Sequence, residues 1–129
     1  MIEVKQTILH DPDKGDIGNC LQACIASILE LKIDDVPHFA AHKGSDWFDR
    51  LNDWLLKRGL WALVVNGWEN DFTPFGYSIV CGMSKRGVRH SCVAYDGKPI
   101  FDPHPDNTGL REIDSYYLLV TSQIPIVDD

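Results

Sequence analysis

The apolar positions of this 129-residue chain change period near residue 60. Before it they recur at three- and four-residue intervals, and after it they form short runs and alternations. In CLQACIASILEL, residues 20–31, Leu21, Cys24, Ile25, Ile28 and Leu31 fall on one helical stripe, and Asn19 is a good N-cap. A short helical turn is expected through 34–42. A further helix is expected over 46–58, with Trp47, Leu51, Trp54 and Leu55 on one face. Ser45 would cap it, Asp46 and Asp49 suit its positive end, Lys57 and Arg58 suit its negative end, and Gly59 stops it. Strands are expected at 61–65, 77–81, 89–95, 98–102 and 117–121. Helices followed by strands predict an α+β fold, in which N-terminal helices pack on a small antiparallel sheet. No repeat, low-complexity tract or linker divides the chain, so residues 1–129 read as one domain.

Composition narrows the function classes. Apolar residues make up 44% and charged residues 24%, which is ordinary for a globular protein. The net charge is −7, and the densest basic stretches are the pairs Lys57-Arg58 and Lys85-Arg86. Neither pair can track a phosphate backbone, so no nucleic-acid partner is expected. No apolar run is long enough for a membrane span, and the first residues hold no apolar signal segment. A cytoplasmic protein is the expectation, with Cys20, Cys24, Cys81 and Cys92 as free thiols. No Cys-x-x-Cys pair is present, which argues against a zinc knuckle or a thioredoxin-type site.

The candidate chemistry starts at Cys20, in the first turn of a helix behind a Gly-Asn turn. Free backbone N–H groups and the helix dipole favour a thiolate there, so its pKa is expected to fall. Asn19 and the same helix start are candidates for stabilising an oxyanion, and so is the upstream amide of Gln6. Of the five histidines only His90 lies in a strand-like run, and the next run ends in Asp102 before Pro103. An aspartate one strand away can hold the imidazole tautomer that turns its other nitrogen to the thiol.

Register decides whether these residues meet. A two-residue Asp96-Gly97 loop pairs Tyr95 with Lys98 and sends His90 and Asp102 to opposite faces. A three-residue loop with Gly97 at a bulge pairs Ala94 with Lys98 and sets His90 opposite Asp102, roughly 5 Å apart. The bulged hairpin is therefore expected, with Cys92 and Ala94 on the His90 face.

Other features are weaker. His90, Asp102 and His104 offer zinc-ligand chemistry, but Asp-Pro-His-Pro-Asp reads as a rigid turn, and neither metal nor cofactor is expected. Trp68, Lys85 and Arg86 are candidates for the substrate rim, the last two in a glycine-bracketed loop before His90.

Residues 18–29, GNCLQACIASIL, resemble the nucleophile helix of papain-like cysteine peptidases, in particular the small bacterial branch that includes bacteriocin-leader peptidase domains. Residues 89–103, RHSCVAYDGKPIFDP, are similar to that branch's histidine strand and the following strand that ends in Asp-Pro. The order Gln6, Cys20, His90, Asp102 matches as well, and the chain also looks like short proteins found in bacteria and their phages. The resemblance implies a papain-like fold and a Cys-His-Asp hydrolase acting on an amide, isopeptide or thioester bond of a peptide or protein. Two alternatives stand beside it: an acyl transferase of the same fold, and an inactive binding protein, such as a phage protein acting on a host target. The oligomeric state is not legible.

Overall fold

The computed structural model describes residues 1–41, 44–66 and 73–122. Among these residues the architecture is α+β, with two α-helices and one five-stranded antiparallel sheet. Helix α1 is Cys20–Leu29 and α2 is Trp47–Leu56. Single 3₁₀ turns at Ile33–Asp35 and Phe39–Ala41 replace the one helical turn expected between them. Pro37 lies between the two turns and has no N–H to carry a helix across. The strands are β1 Leu60–Val65, β2 Tyr77–Ser84, β3 Arg89–Tyr95, β4 Lys98–Phe101 and β5 Leu110–Thr121, in the order β1-β5-β2-β3-β4.

Both helices lie on one face of the sheet. Leu21, Cys24 and Ile25 of α1 and Leu51 and Leu55 of α2 share a core with Ala62, Ile79, Cys81, Val93 and Phe101. Helix α1 stops where Glu30 takes a left-handed conformation, one residue before the apolar stripe ends. Neither helix has the side-chain cap expected of it: Asn19 and Asp46 occupy the N-cap positions without a capping hydrogen bond. Asn19 is used elsewhere, as described below.

The β3–β4 hairpin departs from expectation. Asp96 and Gly97 form a two-residue loop, both with positive φ (50° and 79°), and Tyr95 pairs with Lys98. Paired left-handed residues match the strand twist, so Asp-Gly favours this loop over the three-residue one. The bulge lies further along, where Ala94 pairs with Pro99 but Val93 pairs with Phe101. Ile100 is the extra residue, and it returns Asp102 to the His90 face. Proline interrupts little here, because β4 is an edge strand.

A second irregularity shapes the other side of β3. Strand β2 runs on to Ser84 through a bulge at Gly82, which pairs with His90. A Cβ on Gly82 would lie 1.8 Å from the carbonyl oxygen of Glu112 on β5. Only glycine lets the two backbones approach this closely. Strand β5 begins seven residues earlier than its apolar run. Among the described residues its Leu110–Ser115 half pairs with β2 alone, since β1 reaches only Tyr116–Thr121. That half carries Arg111, Glu112 and Asp114.

Gly82→Ala is expected to destabilise the fold by about 3 kcal/mol, the upper end for overpacking. Urea denaturation checks this; an unchanged midpoint would mean that β5 moves aside at no cost.

Candidate active site

The free start of α1, the start of β3 and the residue after β4 converge on one region. The His90 ring reaches Asp102 with Nε2 at 2.6 Å from Oδ1, and both side chains are almost wholly buried. Asp102 is held from several sides. The His104 N–H donates to Oδ1 at 2.8 Å, and the Gly109 N–H donates to Oδ2 at 2.8 Å. The bulge at Ile100, not the hairpin loop, makes this meeting possible.

Cys20 is half-buried, and Cys20, Gln6 and His90 all line one cavity of about 650 Å³. Cys20 lies close to Ser91, the neighbour of His90, whose backbone and hydroxyl favour the charged form of its sulfur. The Ser91 hydroxyl also lies 3.3 Å from Cys81 Sγ. Among the described residues no hydrogen bond joins Cys20 to the His90 ring. Nε2 is engaged by Asp102, so Nδ1 is the nitrogen left for the thiol.

The pKa directions differ from the expected thiolate. Burial pushes the Cys20 thiol up, and it outweighs the Ser91 contacts and the N–H groups of Leu21 and Cys20 that pull it down. The helix start acts in the expected direction but is too weak. Burial likewise lowers His90, against the hydrogen bond and charge of Asp102. Burial raises Asp102, but the hydrogen bonds from His90, His104 and Gly109 together hold it below the usual carboxylate range. At neutral pH the site therefore rests as thiol, neutral imidazole and carboxylate.

The two oxyanion candidates divide. Gln6 N donates to Pro103 O at 3.0 Å, which holds the N-terminal segment beside the Asp102 turn. Its Nε2 donates to Ile8 O at 2.9 Å, leaving its second N–H uncommitted. A Cβ on Gly18 would lie 3.0 Å from His10 N and 3.4 Å from that nitrogen, so the glycine lets the turn before Cys20 sit close to His10, with the Gln6 amide in ordinary contact. The Asn19 side chain is spent. Its Oδ1 accepts from Thr7 N at 3.0 Å and Ile8 N at 2.8 Å, and its Nδ2 donates to Thr7 Oγ1 and Gln22 Oε1. Asn19 is a buried clamp between the N-terminal segment and α1, not an oxyanion donor.

Of the rim candidates, Arg86 lines the cavity and Lys85 does not. Both stand on a tight turn, closed by Ser84 N and Oγ on Val88 O at 2.9 and 2.7 Å. Trp68 lies outside the described residues. The zinc set weighed from sequence is replaced by another: His90, Cys92 and Asp102 place their ligand atoms within 4.8 Å of one another. Burial drives the Cys92 thiol up, and the Asp102 charge and hydrogen bond add to this, so it is a thiol against a carboxylate. A metal there would have to displace that proton and part the His90–Asp102 bond.

Sequence reasoning placed Cys92 on the His90 face and weighed His104 as a ligand, but missed Ser91 as a member of the site. A small polar residue beside His90, at the head of the apolar run Cys92–Ala94, was the available signal for Ser91.

The shifts imply a pH profile of stability. His90 has a lowered folded pKa, so the unfolded chain binds its proton first, and stability falls as pH drops below about 6.5. Asp102 has a depressed folded pKa, so its contribution is present above about 3.9 and is lost as pH falls through its folded value. Chemical denaturation at several pH values should show both limbs, and His90→Gln should remove the first. A His90→Gln protein that keeps the whole limb between pH 6.5 and 5 would show that other groups carry it.

Compared with known proteins, the chain matches no family model, no curated protein and no solved structure.

Proposed function

We propose that the protein is a cysteine hydrolase of papain-like arrangement, cleaving an amide, isopeptide or thioester bond of a peptide or protein through an acyl-enzyme. The observation that carries this reading is the 2.6 Å hydrogen bond between Asp102 and His90, a residue that lines the same cavity as Cys20. A histidine oriented by a carboxylate, sharing a cavity with a thiol at a helix start, is an arrangement suited to nucleophilic acyl chemistry.

The resting protonation states set the order of events. Because thiol and imidazole are both neutral, His90 acts as a general base during attack. Nδ1 takes the Cys20 proton as Sγ bonds to the substrate carbonyl carbon, and the carbonyl π electrons move to oxygen. The Cys20 backbone N–H and the uncommitted N–H of Gln6 are the donors for that oxyanion. Asp102 stabilises the imidazolium that forms, as an acceptor at Nε2–H. His90 then returns its proton to the leaving amine or thiol as the scissile bond breaks. Water, deprotonated by the same nitrogen, attacks the thioester; the carbon–sulfur bond breaks, the acid is freed, and His90 returns the proton to Cys20 Sγ. With an amine in place of water, the same intermediate gives acyl transfer.

The raised thiol pKa favours a second reading, a binding protein that keeps the arrangement without turnover. Acylation separates the two. Incubated with a panel of activated esters and thioesters, the enzyme is expected to gain one acyl mass on Cys20, and Cys20→Ala should gain none. His90→Gln should slow acylation by on the order of 10²–10⁴-fold, the usual contribution of a general base. Intact mass and peptide mapping read both. Absence of acylation across the panel, or equal rates with and without His90, would sink the hydrolase reading.

A further inference from the structure

The residue types that line the cavity run against the composition of the chain. The protein holds 19 acidic and 12 basic residues. Yet the ionisable side chains that line the cavity are His10, Arg86, Arg89, His90 and His104, together with the thiols of Cys20 and Cys81 and the phenol of Tyr117, with no aspartate or glutamate among the described lining residues. The remaining wall is largely apolar, with Leu9, Ile17, Leu21 and Trp47 on the helix side. The free N-terminal turn of α1 opens on the same space and adds positive potential.

The two arginines have acidic partners, but these stand outside the lining. Arg86 Nη1 donates to Asp106 Oδ2 at 2.6 Å and to Thr108 Oγ1 at 3.2 Å. Arg89 forks onto Asp114 with bonds of 2.7 and 3.0 Å. A guanidinium carries five N–H donors, so each arginine is held in place by its partner and keeps donors for a further anion. Arg86 also lies close enough to His90 for its charge to be felt there.

We propose that the cavity selects substrates carrying a carboxylate near the scissile carbonyl, with Arg86 and Arg89 as the groups that recognise it. The inference rests on the reading of Cys20 as nucleophile. It defines the substrate as an acyl compound with an apolar portion beside an anionic one. Two sources supply such a carboxylate in a peptide: an acidic side chain and a free C-terminus.

The test compares alkylation of Cys20 by anionic iodoacetate and neutral iodoacetamide, located by peptide mapping. The ratio of the two rates is divided by the same ratio for glutathione. The expected value at low salt is about tenfold or more in favour of iodoacetate, and it should drop severalfold at about 0.5 M NaCl, where the screening length is a few ångströms. Arg86→Gln and Arg89→Gln should each lower the ratio, and Arg89→Lys should retain most of it. The salt arm needs no variant, so a folding defect cannot mask the result. A ratio no greater than that of glutathione overturns the inference and leaves the nucleophile reading intact. So does a ratio that survives both glutamine substitutions, which would trace the attraction to protonated His90 or the helix end. Failure of Cys20 to react with either reagent in the folded protein overturns the nucleophile reading, and this inference with it.

Protection of Cys20 by millimolar peptides then separates the sources. Protection by acetyl-Ala-Glu-amide alone assigns the site to an acidic side chain, and protection by acetyl-Ala-Ala with a free carboxylate alone assigns it to a C-terminus. Equal protection by the neutral amide acetyl-Ala-Ala-amide, or protection by none of the three, overturns the inference.

Discussion

A buried carboxylate needs several donors, and much of this site is the means by which Asp102 gets them. Its two oxygens accept from an imidazole and from two backbone N–H groups of the turn that follows. Satisfying it orders residues 102–109 and orients His90. The same turn receives the N-terminal segment, through Gln6 on Pro103 and through the Lys5 ammonium on the Asp102 and His104 carbonyls at 2.8 and 3.2 Å. Lys5 also contacts the Asn107 side chain. Removing the carboxylate would leave a cluster of buried donors without partners, so its structural and chemical roles cannot be separated by simple deletion.

Much of the fold was legible because period and punctuation agreed. Cys20–Leu29, Trp47–Leu56 and the β3 and β4 strands came from apolar spacing and from the residues that stop each run. The errors have physical causes. The first half of β5 was hidden because its charges sit on a strand segment that, among the described residues, pairs on one side only. The hairpin loop was misassigned because the demand that His90 meet Asp102 was placed on the loop. The chain meets that demand with a bulge at Ile100, four residues along, and alternation alone gives no sign of it. Asn19 was read by its residue type as a cap, whereas the N-terminal segment that it clamps has little periodic signal.

Cys20 illustrates a competition that sequence cannot weigh. Helix-start N–H groups and the Ser91 contacts favour its charged form, and burial favours its neutral form. Neighbouring thiols show the same tendency, with Cys81 pushed up to about 11. A thiol held in this form is protected from adventitious oxidation, which needs the thiolate, and under the proposed function it depends on a base for reactivity.

The bonds that tie Lys5 and Gln6 to residues 102–104 join positions almost a hundred residues apart. Loop closure over that separation comes late, after the shorter-range contacts have formed. While the chain is being synthesised, Cys20 emerges from the ribosome long before His90, Asp102 and the turn that anchors Gln6. The nascent polypeptide therefore carries its thiol without a base, an orienting carboxylate or a seated Gln6 amide. Under the proposed function, catalysis has to wait for the last third of the chain and for both ends of the fold to join.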